Sequence, residues 1–299
     1  TAYEIYQCDW SSDVCSSDLS ASLSRLMIGT EPRVLSPKPA QTGAVVLQVQ
    51  SLSLPSSDPF GTDLHEVSLQ VRAGEVVGIA GVSGNGQREL LAALSGEDAR
   101  ARADSVVLQG QRVGQSGPQQ RRDLGLHFVP EERLGRGAVP SLSLAQNLLL
   151  TRTESVGPLG YIQTGALQQQ AQEIIQRFAV KAAGPHAPAQ SLSGGNLQKF
   201  IVGREISAHP KLLLVSQPTW GVDVGAAAQI RSEILALRDA GCAVLVVSEE
   251  LDELFEISDR MHVIARGRLS PSIQRADATP TLLGEWMSGL WQEVDHVQA

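Results

Sequence analysis

The sequence predicts an α/β fold in which a parallel sheet is flanked by helices. Three observations carry this prediction: short apolar strands at Val76–Ala80, Leu212–Val215 and Ala243–Val247, helical stretches between such strands, and Gly-rich or polar turns at their junctions. Strands buried on both faces read as unbroken apolar runs, and helical crossovers are what parallel pairing requires.

In chain order, Val45–Leu54 and Val67–Val71 form a β-rich opening, followed by the strand Val76–Ala80 and a Gly-rich loop. Gln87–Leu94 has helical spacing at Leu90, Leu91 and Leu94. Further strands are expected at Ser105–Leu108 and Leu126–Val129, then a helix-rich middle around Ala145–Leu150 and Thr164–Phe178. The remainder alternates. Strand Leu212–Val215 leads to helix Ala226–Asp239, with an apolar line at Ile230, Ile234 and Leu237 and a stop at Gly241. Strand Ala243–Val247, helix Glu250–Ile257 and strand Met261–Ala265 complete the pattern.

Composition narrows the function. The 299 residues include 42% hydrophobic and 19% charged side chains, enough for one large or two ordinary domains with real cores. A net charge of −8 argues against wholesale nucleic-acid binding. No apolar run approaches the roughly 18–20 residues of a membrane-spanning helix, so any membrane role of these residues is peripheral. Three Cys form neither a disulfide framework nor a metal quartet and favour a reducing compartment, with the cytoplasm as default. The six His show no ligand spacing, and Cys242 beside an apolar strand reads as a buried thiol.

Thr1–Leu19 repeats Ser-Ser-Asp and has no signal-peptide anatomy; it reads as a non-native leader, Cys8–Leu19 looking like translated adapter sequence, and the chain as a fragment. Leu23–Gly29 echoes Leu283–Gly289 at a separation of 260 residues, which suggests two tandem copies of one domain, with chance matching as the competing reading. Glu31–Gly43, with three Pro, reads as a linker.

Gly81-Val82-Ser83-Gly84-Asn85-Gly86-Gln87-Arg88 lies between an apolar strand and a helix, where backbone N–H groups and a helix N-terminus together hold phosphate. Against G-x-x-x-x-G-K-S/T, Gly81 and Gly86 match, but Gln87 replaces the Lys and Arg88 the magnesium-binding hydroxyl. A Rossmann turn is the competing reading, and its G-x-G-x-x-G is absent. Leu192-Ser193-Gly194-Gly195-Asn196 opens a second helix whose body, Leu197–Ile206, reads as amphipathic.

Here the chain resembles the ATP-binding-cassette family, whose signature L-S-G-G-Q is matched by Leu192–Asn196 with Asn for Gln. The resemblance covers roughly Ser22 to the C-terminus. It implies an ABC-type cassette: a RecA-like parallel core, an antiparallel β subdomain from the opening strands, and a helical subdomain within about Leu142–Ala189. The cassette would occupy 44–270, after a leader at 1–19 and a preceding cassette's tail and linker at 20–43, and before a C-terminal tail helix within 271–299. It also implies that Ser216 and Gln217 stand where a magnesium-organising Asp and a water-activating Glu are expected, and loss of such a base costs about 10²–10⁴ in rate. Glu249 takes the place of the switch histidine, and Glu131 that of the glutamine linking nucleotide to membrane subunit. Arg133 or Arg136 would offset Glu131. Asp223 matches the acid that reaches across a cassette dimer. Phe60 takes the position of an adenine-stacking residue, and Trp220 would pack beside the silent site; ordinary packing roles stand beside both.

The family pairs cassettes head to tail, each ATP lying between one phosphate loop and the other's signature helix. The resemblance therefore implies a degenerate second cassette of a tandem simple-sugar or nucleoside importer. Ser193, Gly194 and Gly195 would complete a partner's ATP site, with Mg²⁺ mainly there. Its partners would be a second cassette upstream in the same chain, transmembrane permease subunits and, indirectly, a solute-binding protein, at the cytoplasmic face of the membrane. A soluble nucleotide-sensing module and a non-transport cassette ATPase are the alternatives.

Overall fold

The computed structural model of the protein describes residues 40–152 and 162–291. The leader, the Leu23–Gly29 echo and most of the Glu31–Gly43 linker lie outside them. The elements run β1 (Val45–Leu54), β2 (Leu64–Arg72), β3 (Val76–Ala80), α1 (Gln87–Ser95), β4 (Val106–Leu108), β5 (Gln111–Arg112), α2 (Pro118–Asp123), β6 (Leu126–Val129), α3 (Leu144–Leu149) and α4 (Thr164–Arg177). They continue with α5 (Gly194–Ile206), β7 (Leu212–Ser216), α6 (Val224–Asp239), β8 (Ala243–Ser248), α7 (Leu251–Ile257), β9 (Arg260–Ala265), β10 (Arg268–Leu269), β11 (Ile273–Gln274) and α8 (Pro280–Met287).

Two sheets organise these elements. The parallel sheet has the strand order β9-β3-β8-β7-β6, with β10 and β11 pairing antiparallel to β9. β3, β7 and β8 have every residue buried, as their unbroken apolar sequences require. The other sheet is antiparallel, ordered β2-β1-β4-β5, and its opening strands alternate buried and exposed positions. One core joins both sheets: Leu90, Leu91 and Leu94 of α1 belong to the same buried cluster as Leu47 and Leu52 of the antiparallel sheet and Val77, Leu214 and Leu245 of the parallel one. At roughly 25 cal/mol per Å² this apolar burial is the main stabilising term.

Gly78 lets α7 sit directly on β3, since a Cβ there would lie 3.2 Å from Leu254 Cδ2 and closer still to Ser258 Oγ. Beside it, Asp259 accepts from the Val76 amide at 2.8 Å and from buried Arg238 at 2.9 Å. These contacts fix the strand that delivers the phosphate loop.

The expectation of an amphipathic signature helix is corrected by its surroundings. Every residue of α5 from Leu197 to Ile206 is buried, because the helix has neighbours on several sides: β6, α4 and α6 all pack on it. Its polar residues are therefore internal. Glu205 is fully buried, accepting from His127 Nδ1 at 2.7 Å and Arg122 Nη1 at 3.1 Å and pairing with Arg204 Nε at 2.7 Å. Against desolvation, the Arg204 charge, the His127 hydrogen bond and the Arg122 charge hold its carboxyl down at about 2. In the same region Arg204 donates to Gly137 O at 2.8 Å, tying α5 to the loop after β6. β11 and the buried Leu283 of α8 dock the segment beyond 270 onto β9. No helix among the described residues is long and apolar enough to cross a membrane.

Candidate functional site

β3 ends in a loop held in left-handed backbone at Gly84 (φ 82°) and Gly86 (φ 108°), conformations that favour glycine. The loop is tied on both sides. Thr62 Oγ1 donates to Gly84 O at 2.6 Å, and the turn between β9 and β10 donates from Arg266 N and Gly267 N to the side chain and main chain of Asn85, each at 2.9 Å.

Gln87 folds back into this loop. Its Oε1 accepts from the Asn85 amide at 3.0 Å, and its Nε2 donates to Val82 O at 2.8 Å. Gly81 makes room for it, since a Cβ there would meet Nε2 at 2.8 Å. One of the N–H groups that a phosphate loop offers to an anion is thus satisfied by the protein itself. Ser83 and Arg88 are exposed, and Arg88 lies 4.0 Å from Asp58 across solvent.

The cavity in front of the loop, about 300 Å³, is lined by Ser83, Gly84, Gln87, Glu131, Gln217 and Glu249 among others. Asp58, Glu89, Glu131, Glu132 and Glu249 contribute carboxylates, and only Arg88 a positive charge. The Glu131 carboxyl is pushed up, first by burial and then by Glu132 and Glu249, with Arg136 and Arg88 opposing. Arg136 offsets Glu131 only in part, being engaged with Glu97 and with Glu132 at 2.8 Å. Arg133, expected to share that role, points elsewhere: its guanidinium lies 5.6 Å from the Trp220 ring centroid. Trp220 itself does not line the cavity, contrary to the expectation of packing beside this site; Phe60 does, 98% exposed.

After β7 stand Ser216 and Gln217 in place of the expected acids. Ser216 is buried, and Gln217 stands in left-handed backbone (φ 48°), its amide donating to Val247 O at 2.8 Å. Gln217 Oε1 accepts from the Glu249 amide at 3.3 Å. Among the described residues no group of three or more His, Cys, Asp or Glu is arranged to hold a metal. The loop's donor set thus lacks the lysine and acids expected of a magnesium–triphosphate site, one loop amide is already paired with Gln87, and the cavity lining carries five carboxylates to one arginine.

The signature end is different in kind. Ser193, Gly194 and Gly195 start α5 with the serine and first glycine exposed, and the Ser193 side chain does not cap the helix. Instead Asn196 Nδ2 donates to Ser193 Oγ at 2.8 Å, while Asn196 Oδ1 accepts from Lys181 N at 2.9 Å. The serine oxygen accepts this bond, and the hydroxyl retains its own proton for a further acceptor. Asp223 caps α6 by accepting from Ala226 N at 2.9 Å, a local role worth about 1 kcal/mol.

A buried carboxylate links the two loops beside the cavity. Glu253, 2% exposed, accepts from Thr219 Oγ1 at 2.7 Å and Ser248 Oγ at 2.8 Å. Burial pushes its carboxyl up, the two hydroxyls opposing. Sequence reasoning missed it, although Glu253 lies one turn before buried Ile257 and therefore on the inward stripe of its helix.

The fold and the two loops define an ATP-binding cassette. The sequence matches the ABC transporter family over residues 64–220, and the chain belongs to that family. It is 36% identical over 274 residues to the guanosine import ATP-binding protein NupO of Bacillus subtilis, covering 91% of this chain and 53% of NupO. The nucleoside import ATP-binding protein NupA of Lactococcus lactis is 38% identical, with 89% of this chain and 53% of NupA covered. The ribose import ATP-binding protein RbsA of Bacillus licheniformis is 36% identical over 79% of this chain and 47% of its own length. The chain thus spans about half the length of the curated relatives it matches. A solved ATP-binding subunit of an ABC transporter superposes with TM-score 0.66 at 18% identity, covering 81% of this chain and 99% of that one, a likeness of fold.

Proposed function

We propose that this chain is part of the ATP-binding component of an importer for nucleosides or simple sugars, in which its signature end completes the ATP site of a partner cassette. Its own phosphate loop is silent. The observation that carries the reading is the contrast between Gln87, which consumes a loop amide, and Ser193, which Asn196 leaves free to donate. The names of the relatives support the solute class. Matching about half of each relative's length is what one cassette of a tandem protein would show.

In this reading Ser193, Gly194 and Gly195 bind and orient the outer phosphate of an ATP held, with Mg²⁺, by the partner's phosphate loop. Asp223 lies on the same edge. The partner is a second cassette, upstream in the same polypeptide; transmembrane permease subunits dock near the Glu131 loop, a solute-binding protein acts indirectly, and the assembly lies at the cytoplasmic face of the membrane. Glu131 and Glu249 repel a triphosphate from the chain's own cavity. The test compares Ser193→Arg with Gln87→Ala in the assembled transporter. Ser193→Arg is expected to abolish uptake while Gln87→Ala leaves it nearly unchanged, and equal damage from both contradicts the asymmetry.

A further inference from the structure

Arg133 leaves the loop after β6 and turns away from the phosphate cavity. Its Nε donates to Gln198 Oε1 at 3.1 Å, and its Nη2 to the Trp220 carbonyl. Gln198 is 1% exposed and donates its own Nε2 to Pro218 O at 3.1 Å. These two side chains therefore join three segments: the Glu131 loop, the signature helix α5 and the loop Pro218–Gly221.

Glycines make this junction possible. A Cβ on Gly194 would lie 2.7 Å from Arg133 Nη1, and one on Gly221 3.3 Å from Nη2. Among the described residues no carboxylate lies within 4.0 Å of the Arg133 guanidinium, so ion pairing does not explain its position. The helix dipole does not explain it either, because a cation near a helix N-terminus is disfavoured. The planar fork and its stacking on Trp220 remain, and these are properties lysine lacks.

We propose that Arg133 is a positioning residue for the partner's ATP site: it locks the first turn of α5 to the Pro218–Gly221 loop. Ser193–Gly195 and Asp223 then approach the partner's nucleotide as one edge, and displacement of the Glu131 loop reaches that edge through one side chain. This rests on the partner-site reading. The partner's own loop binds ATP, so an error in this edge lowers turnover more than it weakens ATP binding; misplacement of about 1 Å costs up to 10²-fold.

The test is the ATP dependence of hydrolysis by the two-cassette assembly, with thermal midpoints measured alongside. Arg133→Met is expected to lower kcat at least tenfold, with KM for ATP within about threefold and the midpoint nearly unchanged. Arg133→Lys should not rescue it. Gln198→Leu should give a similar loss, and the double variant little more, because both break one junction. Wild-type kcat in Arg133→Met, rescue by lysine, or a loss that follows a large fall in midpoint overturns the proposal. If Ser193→Arg abolishes hydrolysis while Arg133→Met does not change it, the partner-site reading stands without this inference. If neither variant matters, both fall.

Discussion

Gln87 Oε1 lies 3.0 Å from the Asn85 amide, two residues back along the same loop. The phosphate loop is thereby tied back on itself by a side chain standing where a phosphate-loop lysine is expected, which is the feature the proposed silent site rests on. The phosphate loop's shape is retained by Gly84 and Gly86, while its anion-binding chemistry is partly spent internally.

Removing Gln87 should release that amide without creating a motor. Gln87→Ala is expected to tighten binding of inorganic triphosphate to the isolated chain by a few fold, the worth of about 1 kcal/mol per hydrogen bond. ATP turnover by the isolated chain should stay at background. Calorimetric titration and phosphate release check the two halves of this prediction.

At the signature end, Asn196→Ala removes the donor that occupies Ser193 Oγ. The hydroxyl then has other ways to orient, and turnover at the partner site should fall about tenfold. Ser193→Ala removes the donor itself and should cost on the order of 10²–10³ in kcat. Steady-state kinetics of the two-cassette assembly distinguish the two.

Two buried carboxylates should respond oppositely to pH. The Glu205 carboxyl is lowered from 4.5 to about 2, so its stabilisation is present above pH 4.5 and is lost as pH falls toward 2. The Glu253 carboxyl is raised, chiefly by burial, so its ionisation costs more in the folded than in the unfolded chain and this penalty grows as pH rises past its unfolded value. Glu205→Gln should therefore cost about 3–5 kcal/mol at pH 7 and flatten the acid-unfolding profile, whereas Glu253→Gln should cost less. Denaturant unfolding at pH 3, 5 and 7 measures both.

Much of the fold was legible because its central strands allow few other readings. Val76–Ala80 and Ala243–Val247 are apolar throughout, and the structure pairs them in parallel. The phosphate loop and signature turn were visible as local runs of glycine next to a strand or helix. The two-residue strands β5, β10 and β11 were not, because elements that short carry no period. The directions of side chains were also hidden. Arg133 and Arg136 look equivalent in sequence, but one stacks on Trp220 and the other over Phe128, since each follows contacts made by distant segments. The body Leu197–Ile206 read as amphipathic, and packing on several sides made its polar residues Lys199, Arg204 and Glu205 internal. Glu253 was missed for a similar reason: its partners Thr219 and Ser248 are remote in sequence and meet only in the folded chain.

The most direct measurement is magnesium-dependent ATP hydrolysis by the purified chain, alone and then mixed with a cassette that has an intact phosphate-loop lysine and the acids this chain lacks. The account predicts background turnover alone, and turnover in the mixture that disappears with Ser193→Arg. Brisk hydrolysis by the chain alone, or a mixture indifferent to Ser193→Arg, would contradict it.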